Sequence, residues 1–178
     1  GLGDVYKRQA YSLLRRSETP DTLGLYILHE GPLGVFDETL SEEDYDDVRD
    51  AGRQGLTFSP EQPGGWIGIT DKYWLAALMP VQSNKAYFSM RSFASATPTG
   101  PQDIYQTDML GEVMRLDPGK QISWQTYLFS GAKKVTALDQ YAEDLNIINF
   151  DLAIDFGWFY FLTKPFFYAI SWLFGMFG

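Results

Sequence analysis

His29 is the only histidine in the chain, so a Ser-His-Asp triad or a histidine-rich metal site would have to be built around that one ring. No partner motif accompanies it, and a lone histidine at the end of an apolar run reads as a hydrogen-bonded structural residue. Gly64, Gly65 and Gly68 cluster, yet they lack the lysine and the following helix that a phosphate loop needs. The acidic run from Asp37 to Asp50 offers oxygen ligands. It has neither the regular spacing nor the turn glycine of a calcium loop, and reads as a solvated loop or short helix. Scattered Asp and Glu could pair across a cleft as in a glycosidase, and aromatic strands could stack on sugars; core packing is the simpler account of those aromatics. There is no cysteine, which removes disulfides and thiolate metal sites. The chain is read as a non-enzyme with no catalytic, metal or cofactor motif.

The most unusual chemistry lies from Phe156 to Gly178 (FGWFYFLTKPFFYAISWLFGMFG), where about half of the residues are aromatic and Lys164 is the only charge. A helix over Trp158 to Phe177 would be roughly 30 Å long, enough to span a bilayer on length alone. Composition favours lying in the interface: Trp158, Tyr160, Tyr168 and Trp172 carry rings suited to the headgroup level, whereas a spanning core is rich in Leu, Ile and Val. On a helical wheel Tyr160, Lys164, Tyr168, Ser171 and Gly175 recur at steps of three and four, giving one narrow, weakly polar stripe. A lysine at the centre of a span costs about 2.5–3.5 kcal/mol, and little at the interface, where it can snorkel. Pro165 removes a helical hydrogen bond and is expected to kink the segment. A spanning anchor and a hairpin buried in a larger soluble core are the alternatives.

The elements that would carry this segment are mostly strands. The chain has 178 residues, 45% hydrophobic and 16% aromatic, enough for one domain and an appendage. Its formal net charge of -9 argues against nucleic acid as a partner. Gly1 to Gln9 is set aside as a non-native scar, and the chain is expected to be a fragment of a longer protein. AYSLLRR and LGLYILH, within Ala10 to His29, read as strands on either side of a turn at Pro20-Asp21. Gly52 to Gly65 reads as a loop. The clearest hairpin is Trp66 to Thr70 with Tyr73 to Met79, both faces apolar, stopped by Pro80.

Further strands are expected at Ala86 to Phe93, Asp103 to Thr107, Leu110 to Leu116 and Gln121 to Phe129. Asp117-Pro118-Gly119-Lys120 suits a type II turn that would pair the last two. Successive short strands without long intervening helices indicate a mainly β, antiparallel sandwich over residues 10–129. Ser130 is expected to cap a helix over 130–145 whose apolar face is Val135, Leu138, Tyr141, Ala142 and Leu145. Lys133 and Lys134 at its start and Glu143 and Asp144 at its end oppose the helix dipole, so this helix should depend on docking. Residues 146–155 then read as a connector.

GWIGITDKYWLAALMP, LDPGK, SGAKKVTALDQY and FDLAIDFGWFYFLTKPFF, in that order and spacing, resemble the periplasmic domain of the YidC/Oxa/Alb family of membrane-protein insertases over roughly Ala10 to Gly178. The resemblance implies a galactose-mutarotase-like β-supersandwich, incomplete in this chain, on the periplasmic side of the bacterial inner membrane, with a helix packed on it. Residues 156–178 would then be the family's amphipathic interfacial helix, leading to a transmembrane span beyond this chain. The family's insertion groove and its arginine have no counterpart here, so no family active residue carries over. The implied role is a part of an insertase and chaperone for inner-membrane proteins, alone or with the Sec translocon. Its partners would be the lipid bilayer, the transmembrane remainder of the same protein and client membrane proteins. Trp158, Phe159, Phe161, Phe166, Phe167, Trp172, Leu173 and Phe174 are expected to bury at the acyl boundary, with Lys164 reaching lipid headgroups. The rival reading is a carbohydrate-binding or mutarotase-like domain with a hydrophobic anchor.

Overall fold

A computed structural model describes residues 5–16, 28–98, 100–155 and 160–177. In chain order the elements are β1 (Val5–Lys7), β2 (Ala10–Arg16), β3 (Gly31–Phe36), β4 (Thr39–Glu42), α1 (Tyr45–Asp50), β5 (Leu56–Phe58) and β6 (Trp66–Thr70). They continue with β7 (Trp74–Pro80), β8 (Ala86–Thr97), β9 (Gly100–Gly111), β10 (Met114–Leu116), β11 (Thr126–Ala132), α2 (Val135–Leu145), a 3-10 helix (Phe150–Ala153) and α3 (Tyr160–Phe177).

The strands form a five-stranded sheet ordered β11-β7-β6-β3-β4, a four-stranded sheet ordered β2-β9-β8-β5, and a ribbon of β1 with β10. Every pairing is antiparallel, as expected for a sandwich built from short consecutive strands. The five-stranded sheet is the middle layer. Side chains alternate along a strand, so Leu33, Val35, Trp66, Leu75, Ala77 and Met79 face one way and meet Leu138, Ile147, Phe150 and Ala153 from the C-terminal helices. Phe36, Ile67 and Leu78 face the other way and meet Phe88, Met90, Tyr105 and Met109 of the second sheet. That double burial explains why all five residues of β6 are buried. A fully buried side chain of this size contributes about 1.5–3 kcal/mol over its exposed state.

Several expectations hold. AYSLLRR is β2, the hairpin is β6 with β7, and Gly119 takes the positive φ of 75° that its turn requires, with Lys120 N–H donating to Asp117 O at 3.1 Å. The acidic run does contain a helix, α1, which buries Tyr45 and Val48. The run also supplies β4, which was not anticipated.

Other expectations need correction. The strands flanking the Asp117–Lys120 turn do not pair: β10 pairs with β1, and β11 pairs with β7 in a register from Thr126↔Pro80 to Ala132↔Trp74. The apolar face of β7 offers a longer partner than three residues of β10 can, so a correct turn was followed by a wrong pairing. Because that register runs to Ala132, Ser130 lies in a strand, and Lys134 is the residue that precedes α2. Asp103 to Thr107 and Leu110 belong to one strand, β9, paired with β8 from Gly111↔Ala86 to Gly100↔Thr97. Leu56–Phe58, within the expected loop, is β5. Val5–Lys7, set aside above, forms β1, and Arg8 Nε donates to Gly111 O at 2.6 Å. Of the LGLYILH run, residues 23–27 lie outside the described residues, and Leu28 and His29 are not in a strand.

The segment read as a connector is a core element. Ile147, Phe150 and Ala153 are buried, and the Trp66 indole N–H donates to Ile148 O at 3.1 Å while its ring meets Phe150 edge-on at 5.4 Å. Gln82 ties this segment to the sheet. Its amide nitrogen donates to Gly65 O at 3.0 Å and Pro80 O at 2.9 Å, and its oxygen accepts from Gly65 N at 3.0 Å and Ile148 N at 3.3 Å. Gly65 sits at φ 84°, where a Cβ would come within 2.4 Å of Val35 O, so only glycine fits.

Candidate functional site

His29, the residue any histidine chemistry would need, places Nε2 3.1 Å from Pro32 O at the start of β3. Among the described residues no group of three or more His, Cys, Asp or Glu is arranged to hold a metal ion. Gly64 and Gly65 lie beside Gln82 in a structural turn, and Gly68 packs against the backbone of Ala76. Charges do gather near Lys133, whose amine is pushed below its usual range by burial against the pull of Asp155, Glu30, Asp71 and Glu42. Glu42 is raised, again first by burial, with His29 opposing the shift. Lys133 and Asp155 share a small cavity with Leu28, Lys72, Tyr73 and Ile154. A larger groove of about 650 Å³ runs between the edges of the two sheets, lined by Tyr11, Leu13, Leu78, Trp124, Thr126 and Leu128.

The feature that departs most from a water-soluble domain is α3. Its side chains are exposed along almost the whole described length: Phe166, Phe167, Ile170, Trp172, Leu173, Phe174 and Phe177 all face outward, with Trp172 at 64% and Phe174 at 75% exposure. An aromatic surface of this extent is far larger than the scattered apolar residues that soluble monomers tolerate. Among the described residues no helix is long and apolar enough to cross a membrane.

Of the residues expected at the membrane interface, Phe166, Phe167, Trp172, Leu173 and Phe174 sit exposed on α3, and Phe161 lies in its first turns. Trp158 and Phe159 lie outside the described residues. Pro165 lies inside the helix, which continues through it to Phe177. Lys164 is the half-buried exception, its side chain 20% exposed. Its Nζ donates to Asp151 Oδ2 at 2.7 Å and lies 3.4 Å from Asp139 Oδ1. One turn on, Tyr168 donates its hydroxyl to Asp139. Two members of the polar stripe read from the wheel therefore meet the domain: Lys164 reaches α2 and the 3-10 helix, and Tyr168 reaches α2.

Asp139 and Asp151 were not singled out by sequence reasoning. The only signal was indirect: Asp139 falls outside the apolar face of α2, and Asp151 is an acid inside an otherwise apolar run, NFDLA. Neither fact points to Lys164 without the packing of the 3-10 helix.

The family model for the YidC periplasmic domain matches residues 3–169. The protein named membrane protein insertase YidC from Rickettsia akari (strain Hartford) is 44% identical to the chain over 170 residues, covering 96% of the chain and 29% of that protein. Proteins of the same name from Rickettsia felis and Rickettsia prowazekii are each 42% identical over 170 residues, with the same coverage. The chain thus spans 29% of the length of these curated relatives.

Proposed function

The chain belongs to the family of YidC periplasmic domains and so lies on the periplasmic side of the bacterial inner membrane, and from that premise we propose that it serves a membrane-protein insertase by tethering a folded sandwich to the bilayer surface. The observation that carries this reading is α3, an aromatic helix exposed along its length at the end of a well-packed domain. Phe166, Phe167, Trp172, Leu173 and Phe174, with Trp158, Phe159 and Phe161 before them, bury at the acyl boundary. Trp and Tyr hold the headgroup level, and the helix lies flat.

The clients are membrane proteins, inserted by the whole protein alone or with the Sec translocon. The physical task of an insertase is to lower the cost of moving polar segments into lipid. The part played by this domain is to fix where that task is done relative to the membrane surface.

Flotation with phosphatidylcholine vesicles tests the tether. The 178-residue chain is expected to float with the vesicles, and the same chain ending at residue 155 to stay at the bottom of the gradient. Equal flotation of the two overturns the reading.

A further inference from the structure

We propose that Asp139 and Asp151 form an acidic clamp on Lys164 that, with the Tyr168 hydroxyl on Asp139, turns the polar stripe of α3 toward the domain and leaves its aromatic faces to lipid. The proposal rests on the interfacial reading of α3 and adds what sets the rotation of the helix and its position against the domain.

The two carboxylates come from different elements. Asp139 follows the fully buried Leu138 on α2, and Asp151 follows the fully buried Phe150 in the 3-10 helix. Each is therefore held by a backbone locked into the core. The three charged side chains shield one another, at 20% exposure for Lys164, 24% for Asp139 and 25% for Asp151. Ion pairs screened from water in this way are stronger than surface pairs. A single contact would fix a point, leaving the helix free to roll. Lys164 and Tyr168 are one helical turn apart on the same stripe, and both reach α2, so together they fix the rotation.

This arrangement also changes what Lys164 does at the membrane. One ammonium between two carboxylates leaves a net negative charge, and exposed Glu143 and Asp144 lie on the same helix as Asp139. A phosphate headgroup approaching Lys164 would meet that charge. Lys164 is thus a positioning residue for the helix, and the lipid contact falls to the aromatic faces.

The test uses the full-length insertase in liposomes, with spin labels at Glu143→Cys in α2 and Gly175→Cys in α3. The expected wild-type result is one narrow interlabel distance. Lys164→Gln is expected to broaden the distribution at least twofold, and the double variant Asp139→Asn with Asp151→Asn to broaden it equally, in neutral and anionic liposomes alike. Lys164→Asp combined with Asp151→Lys and Asp139→Asn, which removes the like charge and keeps an acceptor for Tyr168, is expected to restore a narrow distance, which no general loss of folding would allow. If the aspartate variants keep the wild-type distance, or if Lys164→Gln acts only in anionic liposomes, Lys164 serves a headgroup and the clamp is wrong. Flotation of the 178-residue chain carrying the same substitutions reports on the interfacial reading independently, since the aromatic faces are intact in all of them.

Discussion

Trp66 carries two roles that a smaller residue cannot share: a fully buried ring in the middle layer and an N–H that satisfies Ile148 O. Trp66→Phe keeps much of the ring and removes the donor, and should destabilise the domain by about 1–3 kcal/mol. Trp66→Ala adds a cavity and should cost about 3–5 kcal/mol. Urea unfolding of the purified domain measures both, and a Trp66→Phe loss near zero would show that the hydrogen bond is idle. Asp108 offers a pH test. Its carboxylate sits between cross-strand neighbours Ser12 and Ser89, accepts from both, and is also bonded by Gln106 and Arg91. Burial opposes its charge, but those donors hold its carboxyl below the usual range. A lowered native pKa stabilises the fold fully above the unfolded value of about 3.9, and that contribution is lost as pH falls through the native value. Asp108→Asn should therefore be less stable than the parent at pH 7, with the gap constant down to about pH 5 and closing below about pH 4. A gap that stays constant to pH 2 would rule the ion pair out as its source.

At the scale of elements, Gln82 joins β6, β7 and the approach to the 3-10 helix through four backbone bonds. Gln82→Leu keeps the bulk and strands those groups, so a loss of about 2–3 kcal/mol is expected in the same unfolding experiment. A loss under about 0.5 kcal/mol would show that water replaces the amide. How far such elements were legible varied with how local their cause is. The β6–β7 hairpin was readable because both strands are apolar on both faces and bounded by a turn and a proline. The Asp117–Lys120 turn was readable because Pro118 and Gly119 suit its two central positions. Which strands it joins was not, because the β11 partner, β7, is set by packing across many residues rather than by the turn. Leu56–Phe58 is three residues long and carries no periodicity that could reveal an edge strand. The 3-10 helix was hidden because four residues cannot display an amphipathic pattern, and its burial depends on a sheet face built much earlier in the chain. The aromatic character of α3 was legible, whereas the destination of its lysine depended on that hidden element.

For the molecule as a whole, a net charge of -9 and an exposed aromatic helix act in opposite senses at a membrane. Apolar burial attracts, and the acidic surface is repelled by anionic lipid. Vesicle flotation should therefore be stronger on phosphatidylcholine than on phosphatidylglycerol-rich vesicles at low salt, with the difference vanishing near 1 M salt, where the screening length is about 3 Å. Tighter binding to the anionic vesicles would mean that a basic contact, and not aromatic area, drives docking. The bond from Trp66 to Ile148 joins positions 82 residues apart, and this has a consequence in time. A chain leaving a ribosome at about 5–20 residues per second delivers those two residues roughly 4–16 s apart. Until the later one arrives, the face of the central sheet that carries Trp66 lacks the C-terminal residues that cover it. Its last core residues emerge just ahead of α3, so closure of the fold and arrival of the exposed aromatic helix become nearly one event.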